Sequence, residues 1–319
     1  MLKKITTAAS VVLLSALAAC SGGQSPAGAG GAITMGFAQV GAESGWRTAN
    51  TKSVQEAAKA AGIELKFSDA QQKQENQLKA IRSYIQQKVS VIAFSPVVET
   101  GWDTVLLEAK RANIPVILTD RAIDSEDASL YRTFLGSDFV EEGRKAADWL
   151  LANSQGQVNV VELQGTTGAA PAIDRKKGFA EKIAARPEIQ VVASQTGDFT
   201  RSGGKQVMEA FLKSTPKIDV VYAHNDDMGL GAIEAIKAAG KVPGKDIRII
   251  TVDAVRDGMQ ALANGEINFI VECNPLLGKQ LMELTKKVLA GEQVPARVVT
   301  EEGTFTSEQA KAALPTRQY

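Results

Sequence analysis

The sequence predicts an α/β protein of two doubly wound parallel-sheet lobes. Three observations lead there. From Ile33 onward, short β-rich runs alternate with longer amphipathic stretches, the rhythm of βαβ units. Most of the β-rich runs are continuously apolar, as strands covered on both faces must be. The two halves also echo each other. The strands opening at Ile33 and Val158 lie 125 residues apart, Ser95 and Asn225 130 apart, and Asp120 and Asp253 133 apart. Strands are expected at 33–39, 63–67, 89–94, 115–119, 158–163, 189–195, 218–223, 247–252 and 267–271. Helices are expected at 49–61, 74–88, 102–112, 141–151, 173–184, 204–213, 228–239 and 277–289, where apolar positions recur at helical spacing.

Composition narrows the function. A chain of 319 residues with 44% apolar and 23% charged residues is long enough for about two ordinary globular domains. Thirty-six basic residues balance 36 acidic ones, so no broad basic surface is on offer to nucleic acid. One histidine, His224, and two cysteines, Cys20 and Cys273, leave little material for metal sites or histidine catalysis. Neither a metal nor a cofactor is expected.

The first residues read as an address. Lys3 and Lys4 precede an apolar run that ends in Leu17-Ala18-Ala19-Cys20, a signal peptide over 1–19 that closes on a lipobox-like motif. The expectation is cleavage before Cys20 and lipidation of its thiol; a plain signal peptide with an incidental cysteine is the alternative. Residues 20–31, rich in Gly, Ser, Ala and Pro, form a flexible tether. The mature chain then carries 34 − 36 = −2 formal charges, and Cys273 has no intrachain disulfide partner.

Open parallel sheets bind ligands beyond the carboxyl ends of their strands, so the residues there are the informative ones. They are Gly41 to Arg47 after the first strand, Ser95 after the third and Asp120-Arg121 after the fourth. The second half supplies Asp174-Arg175 at a helix start, Asp198 to Arg201, His224 to Asp227, Asp253, and Glu272 to Asn274. Carboxylates, guanidinium forks, an amide and the rings of Trp46 and Phe199 suit a polyhydroxylated ring, with bidentate groups at its edge and aromatic faces against its C–H surfaces. Blander roles stand beside this. Asp226 and Asp227 read better as helix caps than as ligand contacts. Asp120-Arg121 can be a surface ion pair, Trp46 and Phe199 core aromatics, and Arg175 a solvated helix residue. His224 and Cys273 read as packing residues.

Longer runs carry a resemblance. The stretches 36–47 (GFAQVGAESGWR), 71–76 (QQKQEN), 161–166 (VELQGT), 172–181 (AIDRKKGFAE), 197–201 (GDFTR) and 222–228 (YAHNDDM) closely resemble the ribose-type periplasmic sugar-binding proteins of ABC importers. Within that family they are most similar to the galactofuranose-binding members. The resemblance implies a type I fold of two lobes joined by three hinge crossings. Residues 32–137 and 274–299 would form the N-terminal lobe, and 138–273 with 300–319 the C-terminal one. It implies a monosaccharide held between Trp46 and Phe199 and bonded by Asp120, Arg121, Arg175, Asn225 and Asp253, with Asp174 beside them. Glu43 and Arg47, in the first loop, are the candidates for furanose discrimination. Glu272 stands where ribose binders carry an amide, which weakens a ribose assignment. Cysteines that the galactofuranose-binding relative carries near the positions of Val158 and Val220 have no counterpart here.

The expected protein is therefore an exported, membrane-tethered solute-binding subunit, monomeric, delivering its sugar to a permease and catalysing nothing. A sensor of the same fold that feeds chemotaxis or a signalling receptor is the alternative. A sugar-responsive transcription factor would need a helix-turn-helix before the first strand, where the export signal lies. No Gly-x-Ser-x-Gly elbow, phosphate-binding loop or His-Glu-x-x-His motif appears; paired carboxylates leave glycoside hydrolysis as the one enzymatic alternative.

Overall fold

The computed structural model describes residues 32–319; the expected signal peptide and tether, with Cys20, lie outside them. The first sheet is laid down by β1 (Thr34–Gln39), α1 (Gly45–Ala61), β2 (Glu64–Asp69), α2 (Gln74–Gln86), β3 (Val91–Phe94), α3 (Asp103–Arg111), β4 (Val116–Thr119) and β5 (Thr133–Gly136). The second follows with α4 (Phe139–Ala152), β6 (Val158–Gln164), α5 (Ala170–Ile183), β7 (Ile189–Thr196), α6 (Arg201–Ser214), β8 (Val220–Ala223) and α7 (Asp226–Ala238). It is completed by β9 (Arg248–Asp253), α8 (Arg256–Ala263) and β10 (Phe269–Glu272). The chain then adds α9 (Gly278–Leu289), which packs on α1, β11 (Arg297–Val299) beside β5, β12 (Thr304–Phe305) beside β10, and α10 (Ser307–Ala313) against α8.

The strand orders are β2-β1-β3-β4-β5-β11 and β7-β6-β8-β9-β10-β12, parallel throughout except for β12. The internal echo of the sequence is thus a repeated topology, and each sheet reverses its strand order at the strand that opens it. Such a switch point leaves a crevice at the carboxyl edge. The apolar strands are explained by cover on both faces. On β3, Val91 and Ala93 join one core with Phe37 and Leu281, while Ile92 and Phe94 join the opposite core with Trp102 and Tyr84.

Three segments pass between the sheets: residues 137–138, 273–277 and 300–303. One carboxylate pins all three. Glu302 Oε1 accepts from Ser137 Oγ on the first crossing, from Asn274 N at 2.9 Å on the second, and from Thr300 Oγ1 at 2.9 Å on its own.

Where expectation and structure differ, local chemistry gives the reason. α1 starts at Gly45, four residues before the periodic stretch, because Ser44 caps it and accepts from Arg47 N at 3.1 Å. Arg47 is therefore on a helix, not in the loop expected for it. α5 starts at Ala170 with proline in its first turn, so Asp174 and Arg175 lie inside the helix and not at its start. β5, β11, β12, α8 and α10 are elements the periodicity did not reveal. Each is short, and β11 and β12 exist only by pairing with strands far away in sequence. α4 and α5 touch backbone to backbone. A Cβ on Gly178 would meet Val140 O at 1.9 Å, and one on Gly143 would meet Arg175 O at 2.2 Å.

Candidate functional site: a charged cleft between two sheet edges

The carboxyl edges of the two sheets face each other across a small cavity of about 20 Å³, roughly the room one water needs. The first sheet's side supplies Glu43, Ser44, Trp46, Arg47, Asp120 and Arg121. Facing them are Pro171, Arg175, Phe199, Asn225, Asp253 and Cys273.

On the first side, the N-terminal turn of α1 aims Arg47 back at the strand ends. Its Nη1 donates to Asp120 Oδ2 at 2.7 Å and Gln39 Oε1 at 3.1 Å, and its Nε donates to Glu43 Oε1 at 3.1 Å. Ser95 Oγ donates to the same Asp120 oxygen at 2.7 Å. Burial alone would raise the Asp120 carboxyl, but Arg47 and Arg121 overcome it and hold it below the usual aspartate range. Arg121 is less well matched. Burial and the neighbouring Arg47 charge pull its guanidinium down to about 10, still protonated at neutral pH. Its Nη1 donates to Val97 O at 3.1 Å while its Nε has no partner.

On the second side, Arg175 Nε donates to Glu142 Oε2 at 2.6 Å and its Nη1 to His224 O at 2.5 Å, which leaves Nη2 3.8 Å from Asp253 Oδ1. Burial, with Asp226 and Glu142 nearby, pushes the Asp253 carboxyl well up against the opposing pull of Arg175. Asn225 is already employed: Oδ1 caps α7 by accepting from Met228 N at 3.0 Å, and Nδ2 donates to Phe199 O at 3.0 Å. The two aromatics are covered by cations. Arg47 sits 4.7 Å from the centre of the Trp46 ring, and Arg121 5.3 Å from that of Phe199 across the cleft. Trp46 Nε1 also donates to Cys273 O at 2.7 Å, tying α1 to the second hinge segment.

The backbone is strained at this edge. Asp120, Phe199, Asp253 and Ala254 all adopt positive φ, which non-glycine residues avoid. Phe199 can turn inward only because Gly165 is bare; a Cβ there would meet its ring at 1.9 Å.

Two expected site residues stand elsewhere. Asp174 does not line the cavity; it is half-buried, and burial raises its carboxyl. Glu272 faces the C-terminal tail. Its Oε1 accepts from Arg317 Nη1 at 2.8 Å and Tyr319 Oη at 2.9 Å, its Oε2 from Gly303 N at 3.0 Å. Asp226 and Asp227 occupy the first turn of α7, with Asn225 as the capping residue. Asp227 Oδ2 also accepts from Gly45 N at 2.8 Å and so joins the start of α1 to the opposite lobe. Glu99 N donating to Gly168 O at 2.9 Å makes another bond between the lobes. Ser44, Pro171 and Cys273 line the cavity without having been expected as ligand contacts. Ser44 and Cys273 lie within the strand-end stretches 41–47 and 272–274, where Cys273 read as a packing residue, and Pro171 carried no such signal.

Glu142, Cys273 and Glu302 bring three ligand-type atoms within 4.8 Å of one another. Arg175 holds one oxygen of Glu142, and three donors already satisfy Glu302 Oε1. A wider groove between α1, α9 and the start of α8 at Arg256 and Asp257 has a rim of charged side chains. No residue lining it, among those described, holds a buried polar atom without a partner.

Residues 35–293 match the family described as periplasmic binding protein domain. The chain belongs to that family. The periplasmic binding protein is 49% identical over 287 residues to the galactofuranose-binding protein YtfQ of Escherichia coli (strain K12), covering 88% of this chain and 90% of that one. It superposes with a TM-score of 0.89 on a Mycobacterium smegmatis protein crystallised with β-D-fucofuranose, at 68% identity and with 90% and 96% of the two chains covered. The binding component of the arabinose ABC transporter from Shewanella sp. ANA-3, bound to α- and β-L-arabinofuranose, gives a TM-score of 0.87 at 50% identity over 90% and 96%. Hinged closure around a ligand is the motion of this architecture. In this binding protein the pinned crossings are its hinge, and the two sheet edges its jaws.

Asp120→Ala leaves two buried guanidinium groups short of a partner and should destabilise the protein by about 3–5 kcal/mol. The folded carboxyl is depressed. Its contribution is therefore complete above the ordinary aspartate range and fades as pH falls through the folded-state value. Denaturant midpoints measured across acid pH should fall more steeply for the wild type than for the variant, and equal midpoints at neutral pH would contradict this network.

Proposed function

We propose that this protein is the solute-binding subunit of a sugar ABC importer, and that it closes on a neutral monosaccharide in furanose form. One observation carries the reading. Glu43 Oε2, Arg121 Nε and Asp253 Oδ2 are buried polar atoms without partners, they come from both lobes, and they line the same cavity. Buried groups of this kind are costly until a ligand satisfies them, and vicinal hydroxyls both donate and accept. Donors on Arg47, Arg121 and Arg175 alternate with the carboxyl groups of Glu43, Asp120 and Asp253 around the wall, which suits a neutral ligand whose hydroxyls both donate and accept. Bonds to charged groups contribute about 1.5–3 kcal/mol each. Three to five of them match the roughly 8 kcal/mol of micromolar binding after the cost of closure is subtracted.

The furanose form is favoured by relatives whose names or bound ligands are galactofuranose, fucofuranose and arabinofuranose. Opening and closing is then the whole of the protein's work. The sugar enters the open gap, the closing lobes carry their fixed arginines onto its hydroxyls, and the closed pair of lobes is what a membrane permease receives. No bond is made or broken. We further propose export as a monomer held at the membrane by a lipid on Cys20; among the described residues no helix is long and apolar enough to cross a membrane.

A thermal-shift screen of methyl furanosides against their pyranoside counterparts should stabilise the protein with furanosides only. Arg175→Ala should weaken the best of them at least about tenfold, near 1.4 kcal/mol. Pyranosides shifting the midpoint as strongly would overturn the ring-form assignment, and no shift with any sugar would overturn the site. For the anchor, Cys20→Ser should move the protein from the membrane fraction to the soluble one. Retention in the membranes would exclude lipidation at Cys20.

A further inference from the structure

Glu142 contributes nothing to the cavity wall, yet it is one of the most deeply buried carboxylates of the molecule, 1% exposed. It stands on α4, four residues after the first hinge crossing ends, where the glycine contact between α4 and α5 brings the two helix backbones together. That approach presses Glu142 Oε2 onto Arg175 Nε at 2.6 Å. Of the Arg175 donors, Nε is held by Glu142 and Nη1 by His224 O, while the Phe139 ring lies 5.1 Å from the guanidinium carbon. A free arginine side chain would lose much rotamer entropy on meeting a ligand. Here the fork is fixed beforehand, and the group left over, Nη2, is the one beside Asp253 at the cavity.

We propose that Glu142 is a positioning residue, which locks the Arg175 fork so that its remaining N–H groups face the ligand from the second lobe. The effect on the ligand passes through Arg175 alone. The second Glu142 oxygen has no hydrogen-bond partner, and one of the Glu142 oxygens lies within 4.8 Å of Cys273 and Glu302 on the hinge crossings, so the lock stands beside the hinge while Glu142 itself stays out of the cavity wall. Glutamine at this position keeps an oxygen for Arg175 Nε–H, whereas leucine keeps the bulk and removes the acceptor. The effect on affinity rests on the sugar-binding reading; the locked geometry does not.

The test is a double-mutant cycle on the full mature chain, read by calorimetry with the methyl furanoside that binds the wild type best. Glu142→Leu should raise Kd about tenfold, Glu142→Gln by less than about threefold, and Glu142→Leu should add nothing once Arg175 is already alanine. Equal losses in both backgrounds would show a general structural role and overturn the proposal, as would an unchanged Kd in Glu142→Leu. A second measurement needs neither sugar nor a tolerated leucine. In the wild type, the Arg175 Nε–H resonance, assigned by its disappearance in Arg175→Lys, should exchange with water at least about tenfold more slowly than those of exposed arginines. Exchange at the exposed rate would overturn the lock. A wild type that binds no sugar but keeps the protected resonance would sink the functional reading while leaving this one standing.

Discussion

Arg47, Arg121 and Arg175 are each 3% exposed, and a guanidinium so far from water must be met by carboxylates or it will not stay folded in. The rest of the architecture around the cleft follows from that requirement. Asp120 is turned into a left-handed backbone conformation at the end of β4 and there reaches Arg47; Asp253 also has positive φ, at the equivalent place in the other sheet beside Arg175. The matching is incomplete: an oxygen on Glu43, a nitrogen on Arg121 and an oxygen on Asp253 stay without partners. A protein that binds by closing needs such unmet groups, because a site satisfied in its own company would have no use for a ligand.

Much of this was legible from residue order. Continuous apolar runs such as Val91 to Phe94 and Val220 to Ala223 announce strands buried on both faces, and they are strands with every residue buried. The rule that ligands gather at carboxyl ends of parallel strands then pointed to Asp120, Arg121, Phe199, Asn225 and Asp253, which the fold brings around one cavity. Position alone could not tell what each would do. Asn225 looked like a ligand amide and uses both its polar atoms in capping α7 and holding the Phe199 backbone.

What sequence did not disclose depends on contacts between distant segments. β11 has three residues and β12 two, too few for any period, and they exist because β5 and β10 offer open edges. Glu272 ends a strand at its carboxyl edge, as Asp253 does, but Arg317 and Tyr319, some 45 positions later, claim its carboxylate. Asp227 read as a helix-cap residue, and it does sit in a first turn. Its bond to Gly45 N, 182 positions away, needs two lobes brought face to face before it can be seen.

These distant contacts also sort the molecule into parts that stay and parts that move. Glu302 gathers the three crossings at one oxygen, a fixed pivot. The bonds from Asp227 to Gly45 and from Glu99 to Gly168 link the two jaws and must break when they part. Between pivot and jaws lies a cavity of about 20 Å³, which admits a sugar ring only by opening. Small-angle X-ray scattering of the mature protein, with and without a saturating furanoside, tests that motion most directly. A radius of gyration that falls on ligand addition is the result expected of jaws closing about a fixed pivot, and an unchanged radius with the ligand demonstrably bound would contradict it.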